Sequence, residues 1–382
     1  MHILHVTPHL PPDQAANALL PRQLGTWGLE AGDTVAYVAH PPRAPGHADL
    51  PGPVTWVPRR AAGSVAARLR ADLPGRALRI RRALIPAFER ADVVHVHSNG
   101  LLAELAVLLG VRRRRPVVLT LYGTEIWHYE PERVGPDLFT RAYRAASIVT
   151  FYSERLLARA RELGLTRRQM ETVYPAVGPR FEWHDAKAQS AARAQLDIPN
   201  RHLLLNVKRL HPLAGQRDLL AALSDVVRVH PDTRLVICGT GPLLEELKAA
   251  ARSCGVERHV TFAGLVDNAT IATYCAAADL FVLPSRLEAL PTVAVEALAA
   301  GTPVISTDNP GGLELNDVFG PDVAIVPREQ PIALGLAIVR FLEDKRRTSA
   351  STRETIERDF RASAVASRYR ALYERAIAGD AR

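Results

Sequence analysis

Glu288 and Glu296 are the two residues of this sequence whose type and setting call for a chemical explanation. Both lie in the stretch DLFVLPSRLEALPTVAVEALAAGTPVISTDNPGGLE, residues 279–314. Glu296 sits among Val293, Ala294, Val295, Ala297 and Leu298. A carboxylate buried there is costly unless a protein group or ligand hydroxyls donate to it. Glu288 stands in a loop that follows an apolar run. Between the two, Thr292 and Val293 open a helix, and the free amides of a helix start form a ready anion site. One ligand would satisfy all three features: a sugar diphosphate on the amides, ribose hydroxyls on Glu296, and the sugar near Glu288. The structural alternative pairs Glu296 with a core arginine and leaves Glu288 in water.

The elements that must position these groups follow from the same stretch. Residues 279–284 read as a buried strand, and 285–290 as its exit loop. Pro291 suits the first position of a helix, where its missing N–H is not needed. The helix Thr292–Ala300 stops at Gly301, and strand Pro303–Thr307 leads to a turn at Pro310-Gly311-Gly312. This is a strand–helix–strand unit of a parallel sheet. Ligands of such sheets bind beyond the strand carboxyl ends.

Glu288-Ala-Leu-Pro-Thr-Val-Ala-Val-Glu296 resembles the E-x7-E signature of retaining GT-B glycosyltransferases of family GT4, glycosyl transferases group 1. Pro284-Ser285 before it, and Gly301-Thr-Pro-Val-Ile-Ser-Thr-Asp308 with Gly311-Gly312 after it, continue the pattern. The resemblance runs from about residue 2 to residue 377 and is strongest over 203–314. It implies an α/β chain of two Rossmann-like domains facing one another across a deep cleft. The expected division is 1–184 on the acceptor side and 185–357 for the nucleotide sugar, with 358–382 a helix crossing back.

The remaining motifs keep the family's order, with three departures. Ala15-Ala16 stands near the usual Gly-Gly pair after the first strand, and no donor contact is assigned there. Lys208-Arg209-Leu210 and Gly215 follow the pattern whose Arg and Lys hold the diphosphate, but Ala214 occupies the lysine position. Lys208 and Arg217 are the cations available to compensate. Thr120-Leu-Tyr-Gly-Thr-Glu125 carries Tyr122 where the family has histidine. The resemblance therefore assigns Arg209, Lys208, Leu290, Thr292, Val293 and Glu296 to the donor, with Glu288, Arg209 and Tyr122 catalytic. It assigns His97, Tyr122, Glu125 and His128 to the acceptor side.

His95 and His97 share a strand face, so a metal pair is sterically possible. No third ligand is evident nearby, and no D-x-D occurs in the sequence, so no metal is expected. His97, nearer the strand end, is read as facing the cleft, and His95 as a satisfied core histidine. The implied reaction is metal-independent transfer, with retention, from a nucleoside-diphosphate sugar to a hydroxyl acceptor such as a natural-product or cell-envelope intermediate. A GT-B-fold epimerase and a catalytically silent nucleotide-sugar or membrane-binding module are the alternatives. Donor turnover without an acceptor would mark the first, and absence of turnover the second.

Composition narrows the partners. At 382 residues, with 47% hydrophobic and 23% charged, the chain reads as globular with two cores. It has no apolar run of membrane-spanning length, and its N-terminus enters a strand directly, which predicts a cytoplasmic protein. Cys238, Cys254 and Cys275 are unclustered and lie in apolar segments, against a disulfide framework or zinc site. The net charge of +8 is almost all arginine, concentrated at Arg59, Arg60, Arg68, Arg70, Arg76, Arg79, Arg81, Arg82, Arg90 and Arg112–Arg115. A solvated face explains most such runs. An arginine-rich helical segment over 59–90 can also dock peripherally on anionic lipid at the inner membrane face. Without an aromatic platform or recognised motif, nucleic acid is not expected as a partner.

Overall fold

The computed structural model describes residues 1–13, 15–60, 72–131, 137–167, 169–199 and 201–380. Two compact units emerge, Met1–Pro175 with Val365–Arg382, and Ala176–Ala364. The division falls before residue 184 because Val177 is tied to the second unit. Its N–H donates to the Phe360 carbonyl (2.7 Å), and it bridges Arg361. The return to the first unit comes at Val365 rather than at residue 358.

The first unit holds a seven-stranded parallel sheet. Its strands are β1 (His2–Thr7), β2 (Thr34–Ala39), β3 (Val54–Trp56), β4 (Val93–His97), β5 (Val117–Leu121), β6 (Ile148–Phe151) and β7 (Met170–Thr172). Their spatial order is β3-β2-β1-β4-β5-β6-β7. Every residue of β4, β5 and β6 is buried, as expected of a sheet covered on both faces. One face packs Leu4, Val6, Val94, Val96 and Leu119 into an apolar core with Ile80, Leu84, Phe88 and Val107. The other face carries a polar row. His5, His95, His97, Thr120 and Thr150 are buried there, aligned by the registers His5↔His95, His97↔Thr120 and Thr120↔Thr150. The C-terminal helix Ala362–Asp380 reaches this row through Tyr373, whose hydroxyl lies 2.7 Å from His95 Nδ1.

The arginine-rich segment includes the helix Leu73–Arg90, which buries Ile80, Leu84 and Phe88 and exposes Arg79, Arg81, Arg82 and Arg90. Arg68 and Arg70 lie outside the described residues. Among the described residues no helix is long and apolar enough to cross a membrane.

The second unit carries a six-stranded parallel sheet of order β10-β9-β8-β11-β12-β13. These are β8 (His202–Val207), β9 (Thr233–Cys238), β10 (Val260–Gly264), β11 (Leu280–Leu283), β12 (Val304–Thr307) and β13 (Val323–Val326). The core gathers Leu204, Leu219, Leu223, Ile237, Val282, Ile305 and Ile338. Chain direction along the sheet reverses between β8 and β11, the place where doubly wound sheets open a crevice.

The unit β11–helix–β12 is present, with two corrections. Pro291 takes the cap position rather than the first helical one, and the helix spans Thr292–Ala299. Pro310-Gly311-Gly312 is not a turn but the start of the helix Pro310–Phe319. Asn309 caps that helix, its Oδ1 accepting from the N–H groups of Gly311 (3.0 Å) and Gly312 (3.1 Å). Gly301, at φ +95°, ends the preceding helix as expected.

Candidate functional site

A cavity of about 370 Å³ opens at the carboxyl ends of β8, β9, β10 and β11. Val207, Lys208 and Arg209 leave β8 into it; Cys238 and Gly239 come from β9. Leu265 and Val266 follow β10, and Glu288, Leu290, Pro291, Thr292 and Val293 follow β11. The second unit thus gathers five of the six residues assigned to the donor, together with Glu288. Glu296, the sixth, is not on the cavity wall. It lies one turn along the same helix from Thr292 and Val293, the spacing that puts residues on one face.

No side chain caps this helix, so the first amides meet no intrahelical acceptor. Glu296 is half-buried, and among the described residues its carboxylate has no hydrogen bond or ion pair. Burial pushes its pKa from 4.5 up to about 7. The nearby Cys275 thiol is pushed up by its own burial first, and next by the Glu296 charge. A core arginine exists but does not pair with Glu296. The Arg347 guanidinium donates instead to the carbonyls of His184, Ala276, Ala278 and Ala300 and to the Thr302 hydroxyl. Two of these carbonyls close the helix ends around Ala276 and Ala300, so Arg347 anchors the element that carries Glu296.

Glu288 is not in water either. Lys208 Nζ lies 2.5 Å from its Oε1, and the carboxylate is largely buried. The Glu288 carbonyl accepts from Gly311 N–H (3.0 Å), and a Cβ on Gly311 would stand 2.7 Å from Glu288 Cβ. Only glycine fits that approach. Lys208 is therefore committed to Glu288. Arg217 is exposed, pairs with Glu246 (3.3 Å) and does not reach the cavity wall. Ala214 is buried in a short 3-10 turn ahead of Gly215, whose φ of +68° starts the next helix. Arg209 is exposed on the cavity wall, and among the described residues its guanidinium has no partner.

The acceptor-side residues form a second, separate group in the first unit. His97 is fully buried rather than open to solvent, its ring set against those of His5, His95 and Tyr122. Its Nδ1 lies 2.7 Å from the Tyr122 hydroxyl and its Nε2 3.1 Å from His5 Nδ1. His95 is the satisfied core histidine expected of it, bonded to Thr120 (2.6 Å) and Tyr373 (2.7 Å). Glu125 is buried and accepts from Ser98 Oγ (2.6 Å) and from the amides of Gly123 (2.8 Å) and Tyr122 (3.3 Å). Its carboxylate fixes the Tyr122 loop rather than presenting itself to a ligand. His128 is exposed and makes no side-chain hydrogen bond among the described residues.

His5 is the residue that sequence reasoning missed. Together with His95 and His97 it offers ring nitrogens within 4.8 Å of one another. Burial holds His5 down to about 3 and the other two well below their ordinary value, so all three are neutral. Both nitrogens of His95 and of His97 lie within hydrogen-bond distance of a polar neighbour. The signal available was the pairing of His5 in β1 with the register of β4.

The profile described as "Glycosyl transferases group 1" matches residues 188–358, and that described as "Glycosyltransferase Family 4" matches 23–181. A GDP-mannose-dependent alpha-(1-6)-phosphatidylinositol monomannoside mannosyltransferase of Mycolicibacterium smegmatis is 30% identical over 262 residues. That match covers 66% of this chain and 68% of the relative. The chain belongs to the family 4, group 1 glycosyltransferases. This glycosyltransferase is also 24% identical to the N-acetyl-alpha-D-glucosaminyl L-malate synthase of Bacillus anthracis, over 80% of each chain. Its fold is the two-domain GT-B fold. Sucrose-phosphate synthase from Thermosynechococcus elongatus superposes with a TM-score of 0.77 at 22% identity, over 99% of this chain and 100% of that one. Anabaena HepE, solved with UDP and glucose, gives 0.72 at 21% identity over 98% and 99%.

Proposed function

We propose that this glycosyltransferase moves a sugar from a nucleoside-diphosphate sugar to a hydroxyl acceptor, with retention and without a metal ion. The observation that carries the reading is a cavity wall with an unpaired arginine and uncapped helix amides, one helical turn from a half-buried carboxylate without a partner. Arg209 and the amides of Thr292 and Val293 would take the diphosphate, a preorganised charge for the leaving group. Glu296 would accept the ribose hydroxyls. Glu288, neutralised by Lys208, is poorly suited as a nucleophile and better suited to orienting the sugar. Same-face attack follows, the leaving phosphate taking the acceptor proton. Tyr122 is the polar group of the first unit read as acting on the transferred sugar. A relative described as GDP-mannose-dependent, and a protein of like fold solved with UDP and glucose bound, support the donor class.

A panel of UDP-, GDP-, ADP- and dTDP-sugars, read by melting temperature and slow hydrolysis, tests this. One base series should raise the melting temperature, and its hydrolysis should persist in excess EDTA. Loss in EDTA restored by Mg²⁺ would overturn the metal-independent mechanism. Conversion of the donor's sugar without diphosphate release would favour the epimerase alternative, and no turnover with any donor the silent module.

The exposed arginines of Leu73–Arg90 support a second, lesser part of the proposal, peripheral contact with anionic lipid. Vesicles containing phosphatidylglycerol should retain the protein at low salt and release it at high salt. Equal retention on neutral vesicles would discard that contact.

A further inference from the structure

The histidine network beneath Tyr122 has a direction. His5 Nδ1, His97 Nε2, His97 Nδ1 and the Tyr122 hydroxyl form a continuous line of hydrogen bonds, 3.1 Å and 2.7 Å long. Neutral imidazole carries one N–H, so only two proton orders are available. If Tyr122 donates to His97, then His97 donates to His5 and His5 must carry its proton on Nε2. That atom is buried and without a partner. An N–H stranded there, in a residue with no solvent exposure, is the costlier arrangement. In the opposite order His5 Nδ1–H donates to His97, and His97 Nδ1–H donates to the Tyr122 oxygen. The buried end is then a bare nitrogen. The unmatched donor becomes the Tyr122 O–H, in a half-buried side chain for which no other hydroxyl partner exists among the described residues.

We infer that His5 and His97 are positioning residues that leave the Tyr122 hydroxyl proton free, as a donor to an oxygen of the bound ligand. The inference rests on the glycosyl-transfer reading for what Tyr122 meets, but not for the proton order itself. It also accounts for the departure at this position. A tyrosine has the same donor capacity as the family's histidine once its oxygen is occupied from behind. Glu125 completes the device by holding the Tyr122 and Gly123 amides in place.

Two measurements test it. The first needs no activity: ¹⁵N-histidine NMR of the full chain should find His5 and His97 protonated on Nδ1 and bare on Nε2. Protonation of His97 on Nε2 would overturn the relay, as would stoichiometric zinc in the purified protein. The second is hydrolysis of UDP-glucose or GDP-mannose, whichever the wild type accepts. His97→Phe and Tyr122→Phe should each lower turnover about tenfold, the rate equivalent of one lost hydrogen bond. The double variant should be no slower than either single one, and UDP or GDP affinity should stay within about twofold. His5→Phe should fall likewise, and His5→Asn, which restores an N–H at the Nδ1 position, should recover most of the loss. Additive losses, or wild-type turnover in His5→Phe, would refute the relay. If neither donor binds nor turns over, the transfer reading fails while the NMR result still decides the proton order.

Discussion

Glu296→Gln is expected to raise the melting temperature of the free protein at pH 8 and to weaken its hold on a nucleoside diphosphate. Both effects come from the same desolvated carboxylate. Burial pushes Glu296 from 4.5 up to about 7, so the folded state holds a proton that the unfolded chain releases. Stability therefore falls as pH rises between those two values, and the loss is complete above the folded pKa. The shift corresponds to about 3–4 kcal/mol at most, since each unit is worth about 1.4 kcal/mol. Glutamine removes the charge and with it the pH dependence. The difference in melting temperature between variant and wild type should be small near pH 5 and widen toward pH 8. A difference that does not change with pH would show that Glu296 is not desolvated in the free protein.

Binding should move the other way. A ribose diol donating to the ionised carboxylate offsets its desolvation, and the amide cannot accept as strongly. The variant should lose about 1–3 kcal/mol of affinity, the range for a hydrogen bond to a charged group. UDP or GDP without a sugar should register the loss as fully as the sugar nucleotide. Unchanged affinity for both would remove Glu296 from the ribose.

Glu296 was legible because a single carboxylate in an apolar helix breaks the local pattern, and such breaks mark sites. The strands that position the cavity were legible for the opposite reason. Runs such as Leu203–Leu205 and Leu280–Leu283 are apolar throughout, as expected of strands covered on both faces. Strand β13 was not read. Val323–Val326 is a short run followed by Pro327 and Arg328, and only its pairing with β12 identifies it. At the start of the helix, Pro310-Gly311-Gly312 carries a turn signal. The cap from Asn309 overrides it. Site details that depend on partners distant in sequence were hidden altogether. Lys208 lies eighty residues from the Glu288 it pairs with, and His5 ninety-two from His97. Nothing local distinguishes a free cation from a committed one, or a core histidine from a relay.

That distinction decides the last expected result, on the charge that meets the diphosphate. From the sequence, Lys208 and Arg217 are equivalent stand-ins for the lysine that Ala214 replaces. The structure separates them. Lys208 is held 2.5 Å from Glu288, so its charge is already balanced, while Arg217 is exposed and turned to Glu246. Arg209 is then the cavity-wall cation that has no carboxylate to balance among the described residues. Arg209→Ala should lower turnover about 10²–10³-fold, the scale of removing a preorganised charge from a developing anion. Being exposed and unpaired, Arg209 should leave the melting temperature nearly unchanged when removed. Arg217→Ala should stay within about twofold in rate, because an exposed pair away from the wall contributes little. Lys208→Ala should cost at least about tenfold, since it strips the counter-charge from a largely buried Glu288 beside the diphosphate. Turnover and diphosphate affinity of the three variants, measured with one donor, check the ranking. Near-normal turnover in Arg209→Ala would break the diphosphate assignment. An Arg217→Ala loss equal to that of Lys208→Ala would mean that Arg217 swings into the site when the donor binds.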